Sequence, residues 1–406
     1  MVNPPSVGLA SGKHPAVEYE HIGSRPAMSF FDEGDALRQK YPFFWNTVAQ
    51  GFWVFTGYEA IREALQTPEV FTNDSFIPTD PDPTYHMIPT NENPPRHVKY
   101  RQLLNPQFSP AAVARLEPIV REHCRETIDE FLEHGSCDLV RDFGGAFPTK
   151  VFLEWAALPP EDSPQFVAWV QTVFSGIEDS AAPEVVEAMA AIQEYFRTVI
   201  ADRRARPRDP RVDVVTHLVQ ASLDDAPLSD DELVNICQVL VLAGLDTVKQ
   251  ELGYAFLHLA THPDDRKRLV DSPELIPIAV EEMLRAFPVA PPGRKLARDI
   301  DFHGCPMHQG EMVWLPVYMA NRDPRAFPDA DKVVLDRNPN RHLAFAAGPH
   351  RCQGAHLARL QMKVAFEEWH RRIPDYRLGD DEIILEHGGQ LGLERLPIAW
   401  DVPSKS

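Results

Sequence analysis

The sequence predicts a mainly α-helical protein with a small β-rich part, built on one long central helix. Three observations carry this. Residues 229–261, SDDELVNICQVLVLAGLDTVKQELGYAFLHLAT, hold a helical pattern without a break, long enough at about 1.5 Å per residue to cross a whole domain. Between Arg96 and Arg206 the chain offers further helical runs, among them AAVARLEPIVREHCRETIDEFLEH and EVVEAMAAIQEYFRTVIADRRARP. Around residues 294–323 the pattern shortens to strand-like pieces with turns at Gly304 and Gly310.

Taken in order, residues 1–28 are rich in Pro, Gly and Ser and read as a loose arm. FWVFTGYEAIREALQTPEVF reads as a short strand, a turn at Gly57 and a helix that ends before Pro68. Residues 71–95 are dense in proline and have neither a helical nor a strand period. They predict a long ordered loop, and such loops are usually functional. A helix then begins near Arg96, and His97 and Arg101, four apart, share one of its faces. In the central helix Ser229 and Glu232 form a capping box, and His262 with Pro263 stops the run. Its middle, QVLVLAGLDTV, is apolar all round, which predicts burial on every side. The helix SPELIPIAVEEMLRAF carries Glu282 and Arg285 at i and i+3. EHGGQLGLERLPIAW near the C-terminus reads as a hairpin turning at Gly388 and Gly389.

Composition narrows the function classes. The net charge of −20 repels nucleic acid, which is discounted as a partner. The five cysteines are scattered, with no C-x-x-C, which fits free thiols in a reducing compartment. No signal-type apolar run and no membrane-length run appears, so a cytoplasmic protein without a membrane partner is expected. The 406 residues read as a single domain.

The chemistry concentrates in residues 342–359, HLAFAAGPHRCQGAHLAR. Cys352 lies between Gly348 and Gly354, immediately before a helix-forming run. Free N–H groups and the positive dipole end at that helix start stabilise a thiolate. A thiolate in such a loop is a soft anionic ligand suited to haem iron. The order Phe-x-x-Gly-x-His-x-Cys-x-Gly, followed by x-x-Leu-Ala-Arg, resembles the haem-binding loop of the cytochrome P450 family, with Ala346 standing where the family usually has Gly.

That resemblance covers nearly the whole chain and extends to the soluble bacterial camphor-hydroxylase branch. It implies the cytochrome P450 fold, haem b (iron protoporphyrin IX) on Cys352, and Phe345, Gly348, His350 and Gly354 around it. His97, Arg101, Arg294 and His350 match the positions that seat the haem propionates, whereas Pro292 replaces a carboxylate. Glu282, Arg285 and Arg337 match a structural lock. Asp246 and Thr247 match the acid and alcohol that deliver protons during oxygen activation. In relatives the acid is tethered by basic residues. The stretch FSGIEDSAAPE supplies none, which leaves Lys249 as the local candidate. FIP, Tyr85, IPT and PP match the substrate-covering loop. Phe76, Tyr85, Met87, Thr90, Leu242, Ala243, Ala290, Gly389 and Gln390 are the implied substrate-lining residues. Gly389 and Gln390 stand where that branch has branched apolar side chains, so a roomier and more polar pocket is expected.

The implied activity is insertion of one oxygen atom of O2 into a C–H bond of a small apolar substrate, terpenoid or carbonyl-bearing. Electrons would come from NAD(P)H through a separate ferredoxin and ferredoxin reductase. Lys99, Arg101, Arg351, Arg359 and Lys363 are a candidate docking patch. A tailoring hydroxylase of a bulkier steroid or polyketide, a peroxide-driven peroxygenase and a non-catalytic haem sensor are the rival readings.

Overall fold

One helix, Asp230–Thr261, runs through the middle of the computed structural model, which describes residues 7–10, 14–83, 85–176, 182–379 and 383–402. Its start is the expected one. Ser229 Oγ accepts Glu232 N, and the Glu232 carboxylate accepts Ser229 N, so two otherwise unpaired donors are satisfied reciprocally. Asp230, Asp231 and Glu232 place negative charge at the positive end of the dipole. From Leu233 to Leu259 the helix is buried on nearly all sides, as its apolar middle requires. Pro183–Ala205, Ala146–Trp155, Ser163–Ser175 and a π-helical segment, Leu139–Gly145, pack against it.

The β-rich part is larger than sequence reading suggests. Seven strands form one sheet in the order Val7–Ala10, His14–Val17, Phe43–Asn46, Phe52–Phe55, Met312–Trp314, Gly293–Leu296, Phe71–Thr72. Here the reading of residues 1–28 as a loose arm is corrected for residues 7–10 and 14–26. His14–Val17 pairs in parallel with Phe43–Asn46, and Ser24–Pro26 pairs with Leu385–His387 of the C-terminal hairpin. Tyr19 is fully buried, its hydroxyl shared with that of Tyr318 at 2.8 Å and its N–H donated to Asn46 Oδ1. Composition missed this because the partners are remote in sequence. A few apolar residues, Ala16, Val17 and Tyr19, are enough to bury this segment.

The loop at 71–95 is ordered by asparagines. Asn91 Oδ1 accepts Met87 N and Asn91 Nδ2 donates to Asn73 O. Asn73 in turn donates to Thr90 O, and Asn93 Oδ1 accepts Asn73 N. Buried backbone groups without a ladder partner are thereby satisfied by side chains. Among the described residues no helix is long and apolar enough to cross a membrane.

Glu282 and Arg285, on helix Ile276–Ala286, are completely buried. Two parallel bonds of 2.8 Å join them. Arg285 also donates to the carbonyls of Asn321, Ala330 and Lys332. Arg337 Nε reaches both Glu282 oxygens at 3.0 and 3.1 Å, and Asn340 Nδ2 and Val334 N add two further donors. A buried ion pair with every lone pair occupied is stable, but losing one partner strands the other charge. Arg285→Ala is therefore expected to cost about 3–5 kcal/mol in chemical denaturation. Unchanged stability in that variant would show that the pair is dispensable.

Candidate functional site

The cysteine loop is shaped by its backbone. Cys352 N donates to Phe345 O at 2.8 Å, and Arg351 N donates to Gly348 O at 3.1 Å. Gly348 has φ +71°, and a Cβ there would collide with the Leu65 carbonyl oxygen, so both conformation and space demand glycine. Ala346 adopts φ +55°, a conformation that costs an alanine roughly 1 kcal/mol. The departure at that position thus brings strain but keeps the turn. Gly354 caps helix Ala355–Arg372. Phe345 lies under Arg359, whose guanidinium is 4.5 Å from the ring centroid, and Arg359 is bonded to Glu281 at 2.5 and 2.8 Å. Burial alone would raise the Glu281 carboxyl, but Arg359 and His342 hold it at about 2.

Cys352 differs from the other four cysteines, which are buried, in keeping accessible surface. The surrounding protein pushes its thiol up. The Gly354 N–H and the charges of Arg101, Arg351 and Arg359 work the other way, towards the thiolate.

A second feature lies beside it. Arg294 is buried, and its guanidinium donates to Gly293 O at 2.6 Å. Burial pulls its pKa down to about 10. The rings of His97 and His350 stand 3.8 Å apart, and His97 Nδ1 and His350 Nε2 are buried without a partner among the described residues. Burial pulls His97 to about 4 and His350 to about 2, and the nearby Arg294 and Arg101 add to both shifts. Arg101 is lowered too, chiefly by burial. Crowding cations out of water without an anion is costly. An anionic ligand with two carboxylates would reverse that cost and take the unpartnered donors. Haem fits on both counts, with a thiolate for its iron and buried cations for its propionates.

On the central helix, Ala243 is exposed while Leu242 and Leu245 beside it are buried. Thr247, one turn on, donates its hydroxyl to Ala243 O at 2.8 Å. Asp246 is buried, and its Oδ1 accepts Lys249 Nζ at 3.0 Å. Lys249 was the local candidate. Residues 177–181, within the other stretch considered for a tether, lie outside the described residues. Asp246 Oδ2 accepts Gln390 Nε2 at 2.5 Å. Gln390, expected to line the substrate pocket, is thus tied to the acid, a contact 144 residues apart that no local pattern announces.

The remaining substrate-lining candidates lie on the 71–95 loop, the central helix, the segment at Ala290 and the turn of the C-terminal hairpin. Phe76 O accepts Gly293 N at 2.8 Å, and Val289 O, next to the exposed Ala290, accepts Leu391 N at 2.8 Å. Gly389 N donates to His21 O at 2.9 Å. Leu242 is part of an apolar cluster on which Met87 packs. Thr90 is partly exposed. The Tyr85 ring lies 5.8 Å from that of Phe76. Its hydroxyl is buried without a partner, and burial raises its pKa. Ser75 Oγ, which donates to the Asp80 and Ile77 carbonyls, works against that rise but makes no hydrogen bond of good geometry with the phenol. In the candidate docking patch, Lys99, Arg359 and Lys363 are already paired with Asp224, Glu281 and Glu117.

This geometry suits a haem-thiolate site. A family model described as Cytochrome P450 matches residues 160–272 and 273–370. The chain is 33% identical to the Steroid C26-monooxygenase of Mycobacterium tuberculosis (strain ATCC 25618 / H37Rv) over 98% of each chain. It is 34% identical to the Mycinamicin IV hydroxylase/epoxidase of Micromonospora griseorubida, over 86% of this chain and 89% of that one. The crystal structure of CYP101J2 superposes with a TM-score of 0.87 at 28% identity, covering 95% of this chain and 97% of the other. The chain belongs to the cytochrome P450 family. It is a monooxygenase, an oxidoreductase of the haem-iron class.

Replacing both Arg294 by Leu and His97 by Phe should sharply lower the haem retained per protein after desalting. The fold should survive, since the lost groups are buried polar atoms short of partners. Full haem retention in this double variant would contradict the assignment of these residues to the propionates.

Proposed function

We propose that this chain inserts one oxygen atom of O2 into a C–H bond of an apolar, terpenoid-like substrate bearing a carbonyl or hydroxyl. Electrons pass from NAD(P)H through a ferredoxin reductase and a ferredoxin. The observation that carries the substrate class is the buried Tyr85 hydroxyl, unpartnered among the described residues and set beside Phe76. Such a donor loses free energy until an acceptor arrives, and a substrate oxygen is the acceptor that suits it.

Haem b, when bound, supplies the oxygen-activating redox chemistry. Cys352 would hold its iron, and Arg101, Arg294, His97 and His350 would hold its propionates. Thr247 donates its hydroxyl hydrogen bond to Ala243 O, so its oxygen still has lone pairs free to accept one. Asp246 is the buried acid next to it. Lys249, whose side chain is 19% exposed, connects that carboxylate to solvent, and a proton can reach Oδ1 by this route. The acid and alcohol pair supports dioxygen activation over a sensor or a peroxide-driven enzyme, neither of which needs proton delivery.

A bulkier steroid or macrolide substrate is the second reading. It is favoured by the names of the two relatives above and by Gly389, which brings no side chain to the pocket turn.

Thr247→Ala should keep the helix, because alanine is the better helix former. Reduced cofactor should still be consumed, with more of the flux leaving as hydrogen peroxide. Parallel assays of cofactor, peroxide and product check this, and wild-type coupling would make Thr247 structural. Tyr85→Phe removes one hydrogen bond, so affinity for an oxygen-bearing ligand should fall by roughly 0.5–1.5 kcal/mol, about 2- to 12-fold. Its deoxy analogue should bind as before. Equal losses for the two ligands in a binding titration would rule out this role for the phenol.

A further inference from the structure

Three donors hold the Asp246 carboxylate, and they come from two places. Lys249 Nζ and Gln250 Nε2 reach Oδ1 at 3.0 and 3.4 Å from the central helix itself. Gln390 Nε2 reaches Oδ2 at 2.5 Å from the turn of the C-terminal hairpin, between strands Leu385–His387 and Gly392–Leu393. The nitrogen has to face the acid, because two acceptor oxygens at that distance would repel.

The contact is built on a fixed backbone. Both neighbours of Gln390 are pinned, Gly389 N by His21 O at 2.9 Å and Leu391 N by Val289 O at 2.8 Å. Two residues on, a Cβ at Gly392 would collide with the Gln250 carboxamide, so the hairpin closes directly on another partner of the acid. A lysine three residues along the same helix can neutralise the carboxylate but is long and flexible. Gln390 approaches the other oxygen from outside the helix and so limits rotation of the carboxylate about its own side-chain torsions.

We propose that Gln390 is a positioning residue for Asp246, fixing the carboxylate from the hairpin turn so that it stays aimed for proton transfer towards Thr247. This rests on the reading of Asp246 as the proton-carrying acid. Gln390 touches the acid and not the reacting atoms, so its effect passes through Asp246 alone. It also joins the turn that borders the substrate region to the proton path.

The test uses haem-loaded protein with its redox partners and four forms: wild type, Gln390→Met, Asp246→Asn and the double variant. Methionine keeps the length of the side chain and removes the donor. Product formation, its solvent isotope effect and the substrate dissociation constant from the ferric spin-state shift are measured for each. Gln390→Met should slow product formation roughly tenfold, the loss associated with one hydrogen bond to a charged group. It should also raise the solvent isotope effect and leave the substrate dissociation constant unchanged. On the Asp246→Asn background it should add nothing, because residues that act as one unit are not additive. An unchanged rate in Gln390→Met, or the same fold-loss on both backgrounds, overturns the proposal. So does a loss that appears as weaker substrate binding, which would make Gln390 a pocket residue. A wild-type rate in Asp246→Asn overturns the acid reading and this inference with it.

Discussion

The Glu282 carboxylate is the point from which the cysteine loop is held. It sits at zero exposure, yet accepts from Arg285, Arg337, Asn340 and Val334 N. Arg285 passes the restraint to the carbonyl of Asn321, and Asn321 Oδ1 accepts Leu343 N at 2.7 Å, at the head of the cysteine loop. Charge-assisted bonds therefore run from a helix to the proline-rich meander and to Asn321, and one neutral bond carries the restraint on to the cysteine loop. Such bonds are directional and strong inside a protein, which suits a loop that must hold one sulfur in one place.

The site balances opposite electrostatic demands within a short distance. Around Cys352, the Gly354 N–H and three arginines favour negative charge against the desolvating effect of the surrounding protein. Around Arg294, burial presses on positive charge, and the two histidines are held neutral well into the acid range. A ligand carrying a cation at one point and two anions at its edge relieves all of these together. On the central helix the same economy is local: Asp246 is paired on both oxygens, whereas Thr247 and Ala243 keep accessible surface.

Much of this was legible because it is local. The capping box at Ser229, the helix through Thr261, the i,i+3 spacing of Glu282 and Arg285, and the glycines around Cys352 all lie within a few residues of each other. The resemblance extended the reading to Arg337 and to the propionate cations, which come from separate segments. Pairings between remote segments escaped it. The strand His14–Val17 was hidden by a Pro- and Gly-rich composition, since only its partner at Phe43–Asn46 reveals it as sheet. Gln390 was read as a polar pocket residue, and nothing near it in the chain points to Asp246. The clamp of Arg359 on Glu281 was missed for the same reason.

The central claim is that Cys352 is the iron ligand, and the most direct measurement is the spectrum of the reduced, carbon monoxide-bound holoprotein, wild type beside Cys352→His. The wild type should show the strongly red-shifted Soret band of thiolate-ligated haem, and the variant should lose it. A wild-type band at the position given by histidine-ligated haem, or a red-shifted band that survives in Cys352→His, would contradict the account.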